Sequence, residues 1–116
     1  MTAATSAPAP EWMCARCEMT SRWTRGLDGV DSPPNWVRDP GGNHYCLACQ
    51  RERAVDAALE GAADAGIEAR AKLRSAAVVE FEITRDPDRT EGEIARSART
   101  SIGAVRKARK RLQAAA

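Results

Sequence analysis

The chain has few large apolar residues, and aromatic ones are the scarcest. Its 116 residues include one Phe, one Tyr and three Trp, and 23 of its hydrophobic residues are Ala. A chain of this length forms one ordinary domain or two very small ones, and so few bulky side chains favour the second arrangement. Because all three Trp and all four Cys lie before position 50, we expect two small cores, the first held together by a metal.

Groups that enzymes use are also scarce. The sequence has one His, no evident pair of catalytic carboxylates and no glycine-rich phosphate loop, so we expect neither an enzyme nor a small-molecule substrate. No apolar run approaches the ~20 residues of a membrane helix, and residues 1–10 lack the pattern of a signal peptide. We therefore expect a disordered segment over 1–10, no membrane partner and a cytoplasmic protein, in which C-x-x-C motifs indicate metal binding rather than disulfides.

Charge is distributed unevenly along the chain. The net charge is +2, yet residues 85–116 carry nine basic and four acidic residues, and from Arg99 onward there are six basic residues and no acid. This asymmetry favours a polyanion as the partner of the C-terminal end. A solvated basic tail without a partner is the alternative.

Two C-x-x-C motifs predict a structural zinc site. The four ligands would be Cys14, Cys17, Cys46 and Cys49. Thiolates at i and i+3 of a knuckle turn both face one ion, and two knuckles complete a tetrahedral shell for Zn²⁺. A thioredoxin-like redox pair would need a single motif in a βαβ context, whereas an iron site with four Cys ligands stays open. Four thiolates already close the shell, so we interpret His44 as a surface residue or one that supports the ligands.

The stretch before the second motif is typical of a β-hairpin. Residues 36–38 and 43–45 predict short strands around the turn residues 39–42, and the chain becomes helical from Gln50. The run W-V-R-D-P-G-G-N-H-Y-C-L-A-C resembles the second half of a GATA-type zinc finger, W-R-R-D-x-x-G-x-x-x-C-N-A-C. The matching positions are Trp36, Arg38, Asp39, Gly42, Cys46, Ala48 and Cys49. The resemblance implies a treble-clef module, which we place at residues 11–60.

Two departures separate this module from the GATA pattern. The motifs are 28 residues apart, so a longer loop is expected over residues 20–34. Leu47 stands where the family has its DNA-contacting Asn, and no basic tail follows the helix directly. The resemblance thus implies the fold but not the DNA contact. We expect Trp12, Trp23 and Trp36 to pack the small core.

A linker over residues 61–67 is expected to separate this module from a second one at 68–113. Its two glycines each cost a helix interior about 1 kcal/mol relative to Ala; one continuous helix is the alternative. The second module begins with a helix over residues 68–84 that has Leu73, Ala77 and Phe81 at helical spacing and ends at D-P-D. Thr90 and Glu93 form a capping box that opens a short second helix. Its inward residues would be Ile94, Ala95 and Ala98.

Ser101 is placed to cap a third helix with a strongly basic outer side. The inner side would hold Ile102, Val105, Ala108 and Leu112. The residues expected to face outward are Gly103, Arg106, Lys107 and Lys110.

This region resembles bacterial helix-turn-helix regulators, which read D-x-E-I-A-x-x-x-G-V-S-x-x-T-V-x-R. The matching positions are Ile94, Ala95, Ser101 and Val105, while Arg99 replaces the turn glycine and must adopt a positive φ or another turn geometry. The resemblance implies that the third helix enters the major groove of DNA. The DNA-contacting residues would be Ser101, Gly103, Arg106, Lys107, Lys110 and Arg111. Three-helix packing without DNA binding is the alternative.

The sequence therefore predicts a mainly α protein with a small zinc-bound hairpin that binds double-stranded DNA, as a transcriptional regulator. Fifteen Arg against three Lys favour a high-GC bacterium or its phage as the source. The alternative is a protein-interaction adaptor whose zinc module binds a polymerase or another enzyme, with the basic tail accessory. Charge alone does not separate DNA from RNA as the polyanion.

Overall fold

The computed structural model describes residues 11–23 and 33–115. These residues form four helices and two small antiparallel hairpins, which confirms the mainly helical fold with a hairpin. The expected disordered segment 1–10 lies outside the described residues. Contacts divide the chain into two compact units, Met1–Gln50 and Arg51–Ala116. None of the helices in the described part of the chain is long and apolar enough to cross a membrane.

The N-terminal unit contains four short strands. The first hairpin pairs β1 (Glu11–Met13) with β2 (Thr20–Arg22), and the second pairs β3 (Val37–Arg38) with β4 (His44–Tyr45). The second hairpin was predicted, but the first was not, and the expectation of a loop from residue 20 was wrong for its first three residues. The knuckle between β1 and β2 reverses the chain, so that the residues on either side of it can pair.

The turn of the second hairpin follows from its sequence. Asp39 N–H donates to the carbonyl of Asn43 at 2.9 Å, and Gly42 N–H donates to the carbonyl of Asp39 at 3.0 Å. Gly42 has a φ of 86°, a conformation that glycine adopts without steric cost. This geometry brings the chain back at His44 and leads directly into Cys46.

Four helices follow the hairpins. They are α1 (Leu47–Leu59), α2 (Ile67–Arg85), α3 (Glu91–Ala98) and α4 (Ile102–Ala115). The predicted break between residues 61 and 66 is present, and Gly61 has a φ of 86°. Helix α1 begins at Leu47 rather than Gln50. The division by contacts falls after Gln50, earlier than the module boundary that the sequence placed at residue 60.

The core of the C-terminal unit is built from α2, α3 and α4. Its buried residues are Val79, Ile83, Ile94, Ala95, Val105 and Ala108, with Ala98 and Leu112 packed against them. The small side chain of Ala95 allows α3 and α4 to approach closely. All three residues expected to face inward from α3 therefore do so.

Two residues that were expected on the inner sides are exposed instead. Leu73 is 38% exposed and Ile102 is 45% exposed. Residues three apart on a helix are displaced by about 60° around its axis, so Ile102 lies at the edge of a face centred near Val105 and Leu112. On α2 the buried positions Val79 and Ile83 lie on a different face from Leu73.

A carboxylate is buried at the C-terminal end of α2. The side chain of Glu82 is 3% exposed and accepts from Arg85 Nη2 at 3.1 Å and Nε at 3.2 Å. Burial acts to raise the pKa of Glu82, but the hydrogen bond from Arg85 and the charges of Arg85, Arg89 and Arg51 outweigh it and hold that pKa below its usual value. The carboxylate is thus kept ionised inside the unit.

Candidate functional site

The four cysteines lie together in the N-terminal unit. Their Sγ atoms are all within 4.8 Å of one another, and Cys14, Cys46 and Cys49 are buried whereas Cys17 is exposed. Cys14 follows β1, Cys17 lies in the turn after it, Cys46 follows β4 and Cys49 lies in the first turn of α1. The structure therefore brings together all four ligands that the sequence predicted.

Backbone hydrogen bonds shape the first knuckle. Glu18 N–H donates to the carbonyl of Cys14 at 2.9 Å, and Cys14 N–H donates to the carbonyl of Met19 at 2.8 Å. Glu18 takes a left-handed φ of 62° to close the turn. The turn directs the sulfurs of Cys14 and Cys17 to the same side.

The second knuckle is the junction of β4 with α1. Gln50 N–H donates to the carbonyl of Cys46 at 3.0 Å, which starts the helix and places Cys49 one turn along it. The side-chain amide of Gln50 also donates to the carbonyls of Tyr45 at 3.1 Å and Asn35 at 2.5 Å. These bonds fix the start of the helix against the hairpin that precedes it.

Direct contacts join the two knuckles. Ala15 N–H donates to the carbonyl of His44 at 2.8 Å, and the His44 ring lies 3.9 Å, centroid to centroid, from Trp12. Trp12 in turn meets Trp36 edge to face at 6.5 Å, and Trp36 packs against the buried cysteines. His44 is thus half-buried between the knuckles, and its Nδ1 has no hydrogen-bond partner in the described part of the chain.

The thiols of this cluster differ in acidity. Burial acts to raise the pKa of Cys14, but the backbone amides of Cys17, Cys46 and Arg16 stabilise its thiolate and lower the pKa to about 6. Burial and the neighbouring sulfurs raise the pKa of Cys49 to about 12, and burial also raises the pKa of Cys46. Four thiolates at this spacing would repel one another, and a bound cation would relieve this repulsion.

The spacing of the sulfurs fits a metal ion rather than a disulfide. All four cysteines are free, and the Sγ atoms of Cys17 and Cys46 are 3.8 Å apart, far beyond the ~2.05 Å of an S–S bond. Four Zn–S bonds of ~2.3 Å in a tetrahedron place the sulfurs ~3.8 Å from one another. The cluster can therefore hold one metal ion on four thiolates.

The second candidate site is the outer face of α4. Val105 and Ala108 are buried beneath it. The six residues expected to contact DNA are all exposed: Ser101, Gly103, Arg106, Lys107, Lys110 and Arg111. Arg109, the remaining basic residue of this helix, instead donates to the carbonyls of Pro87 at 3.3 Å and Arg89 at 3.2 Å. The outer face therefore presents four cations and no acid of its own helix.

Two of these cations have acidic neighbours on other helices. Arg106 Nε donates to Glu91 Oε2 of α3 at 3.0 Å, and Arg111 Nε lies 3.8 Å from Glu80 Oε1 of α2. The sequence did not predict either pair, since the partners are distant in the chain and no local pattern links them. No ion pair is seen for Lys107 or Lys110 within residues 11–23 and 33–115.

The turn between α3 and α4 takes the first of the two geometries that the sequence left open, a positive φ at Arg99. Arg99 adopts the left-handed conformation, with φ 55° and ψ 52°, and Thr100 N–H donates to the carbonyl of Ala95 at 2.9 Å. The Ser101 hydroxyl then accepts from Ala104 N–H at 3.1 Å. The turn thus ends one helix and caps the next within three residues.

No protein-family model, curated protein or solved structure matches this chain. Its two candidate sites are therefore defined by their own geometry.

Proposed function

We propose that this chain is a small zinc-containing DNA-binding protein that acts as a transcriptional regulator. The observation that carries the proposal is the outer face of α4, on which Arg106, Lys107, Lys110 and Arg111 are exposed opposite a buried inner face. A helix with one packed side and one cationic side suits the major groove, where phosphates flank the base edges.

The arrangement of α3 and α4 supports a helix-turn-helix. Helix α3 has eight residues, Arg99 to Ser101 form a tight turn, and α4 follows with its outer face uncovered within the C-terminal unit. Ser101 and Gly103 are small and exposed at the start of α4, which allows the backbone to approach DNA closely. Arg106 is the long side chain nearest this end, and we assign it to a base contact.

The remaining cations suit the phosphate backbone. Lys107, Lys110 and Arg111 lie beyond Arg106 along the helix, and a Lys ammonium acts as a compact point charge that suits a phosphate. Each phosphate neutralised by such a residue releases condensed counterions, so binding weakens as salt rises.

We propose Zn²⁺ as the metal of the four-cysteine cluster, with a structural role. The sulfur spacing matches a tetrahedral zinc shell, and four thiolates leave no coordination position open for a substrate. Zinc would hold the knuckles together in a unit whose described residues, 11–23 and 33–50, include few large buried side chains. The treble-clef description, with a knuckle, a hairpin and a helix carrying the last ligand, belongs to this proposal.

A protein-interaction adaptor is the second candidate, and one observation favours it. Met13, Met19 and Val37 of the N-terminal unit are 53%, 50% and 44% exposed. Exposed Met side chains adapt to the shapes of protein partners. In this alternative the zinc-bound unit binds a polymerase or another enzyme, and the basic helix is accessory.

Fluorescence anisotropy with labelled duplex DNA, single-stranded DNA and RNA discriminates between these functions. The regulator prefers duplex DNA; Arg106→Ala then costs about 1–3 kcal/mol on a selected site and relaxes its sequence preference. Lys110→Ala weakens all duplexes alike and lowers the log–log salt slope by roughly one unit. Arg53→Ala, a charge removed from α1, is the matched control and leaves binding unchanged. Equal binding of every duplex by the parent and by Arg106→Ala, with an unchanged salt slope, would favour the adaptor.

A further inference from the structure

An ion pair joins α3 to α4 at the surface that we assign to DNA. Arg106 Nε donates to Glu91 Oε2 at 3.0 Å, and the two side chains are 66% and 30% exposed. Glu91 is the first residue of α3, so the shorter helix supplies the acid and the basic helix supplies the cation.

This contact leaves the outer edge of the Arg106 guanidinium available. Arginine carries five N–H donors in a rigid planar fork, and only Nε is engaged among the residues that the structure describes. The two terminal nitrogens match the O6 and N7 acceptors of guanine, which accept two parallel hydrogen bonds in the major groove. We infer that Glu91 is a positioning residue that holds Arg106 for bidentate recognition of a guanine; the inference rests on the proposed function.

The other acidic residue in the first turn of α3, Glu93, takes part in the cap of the helix. The Thr90 hydroxyl lies 3.1 Å from Glu93 Oε1 and accepts from Glu93 N–H at 3.2 Å, so Glu93 completes the cap of its own helix. Glu91 is not needed for that cap. Exposed ion pairs contribute little to stability, so loss of the Glu91–Arg106 contact should change folding little.

The negative charge of Glu91 allows a positioning role to be distinguished from a purely electrostatic effect on DNA binding. A carboxylate beside DNA repels phosphates, so electrostatics alone predicts that its removal strengthens binding to every duplex. A positioning role predicts in addition that the preference for one guanine falls. The test is therefore the discrimination between two duplexes and not the affinity for either one.

The experiment begins with selection of duplexes from a random library by the full chain. Affinities are then measured for the selected site, for the same site with the Arg106-dependent guanine changed to adenine, and for a 7-deazaguanine version that lacks N7. The parent should discriminate by roughly tenfold or more. Glu91→Asp keeps the charge but withdraws the acceptor, and Glu91→Ala removes both, so each should lose most of the discrimination. Glu91→Gln keeps an acceptor and should retain most of it.

Controls separate positioning from folding and from charge. Glu93→Gln removes a charge from the same turn and should discriminate as the parent does, while thermal unfolding reports whether each variant is folded. Parental discrimination in folded Glu91→Ala and Glu91→Asp overturns the inference while leaving DNA binding intact. A selected site that contains no guanine whose recognition depends on Arg106 also overturns the inference, but it leaves the proposed function standing. A parent chain that retains no duplex overturns the proposed function and the inference together.

Discussion

Arg89 contacts both the backbone carbonyl and the carboxylate of Glu82. Its Nη2 donates to the backbone carbonyl of Glu82 at 2.6 Å and lies 3.7 Å from the carboxylate, while Nη1 donates to the Ser97 hydroxyl at 3.0 Å. One side chain in the α2–α3 connection therefore contacts both helices. It links the C-terminal end of α2 directly to α3.

We expect Arg89→Ala to lower the free energy of unfolding of the C-terminal unit by about 2–3 kcal/mol, because a buried carboxylate loses one of the two arginines that lie within 4 Å of it. Chemical denaturation followed by far-ultraviolet circular dichroism measures the change. Arg96→Ala, on the exposed side of α3, is the matched control and should change stability little. Equal effects of the two substitutions would contradict the assigned role of Arg89.

The same carboxylate gives stability a dependence on pH. Arg85 and its neighbours hold the pKa of Glu82 below its usual value in the folded protein, so its contribution is complete above the ordinary carboxyl pKa of ~4.3. The contribution is lost as pH falls further, through the lower folded pKa. Unfolding measured from pH 7 to 3 should show this loss in the parent and a smaller one in Glu82→Gln. Parallel curves of unfolding free energy against pH for the two proteins would disprove this contribution of Glu82.

Loss of the metal should affect the structure of the N-terminal unit only. Cys46→Ser removes a buried ligand, so we expect loss of bound zinc and melting of the hairpins, while α2 to α4 persist. All three Trp lie in this unit, so indole fluorescence reports on it alone and circular dichroism follows the helices. Elemental analysis gives the metal content. One zinc per chain in Cys46→Ser would refute the assigned ligand set.

Arg99 should be strained by its left-handed backbone. Glycine adopts this conformation without the clash of a Cβ, so Arg99→Gly should raise the free energy of unfolding by about 0.5–1 kcal/mol. Arg96→Gly, three residues earlier inside α3, should instead lower it by about 1 kcal/mol. Substitution by glycine should thus change the free energy of unfolding in opposite directions at positions 99 and 96, which provides the control. A decrease at both positions would rule out strain at Arg99.

Ser101 offers a test that separates capping from DNA binding. Asp and Asn cap helices as well as Ser does, so both substitutions should preserve stability. Ser101→Asp adds a negative charge at the proposed interface and should weaken binding to all duplexes severalfold, whereas Ser101→Asn should not. If the two variants bind duplex DNA equally well, Ser101 does not face the phosphates.

The features that the sequence predicted depend on residues close together in the chain. Two C-x-x-C motifs, the Thr90–Glu93 cap and the Ser101 cap each span four residues, and their geometry follows from local backbone preferences. The left-handed conformation of Arg99 was one of two turn geometries that the sequence left open, because Arg99 stands where helix-turn-helix regulators have a turn glycine. These elements supplied the four sulfurs and the start of the basic helix.

The features that were missed depend on distant partners or on the exact rotation of a helix. Glu82 precedes Arg85 by three residues, a spacing that also occurs on exposed helix faces, so nothing local indicated its burial. Glu91 and Arg106 are fifteen residues apart, and only the packing of α3 on α4 brings them together. Ile102 and Leu73 are apolar but lie at the margins of their helix faces. A hydrophobic pattern does not distinguish the margin of a face from its centre, because the two differ by only tens of degrees of rotation about the helix axis.

The hydrogen bond from Ala15 to His44 has a consequence for how this chain can vary. It ties the two halves of the metal site by their backbones rather than by their side chains. The contact is therefore open to every residue at position 15 except proline, which has no N–H to donate. Variation at this position is in this respect limited by the backbone and not by the identity of the side chain.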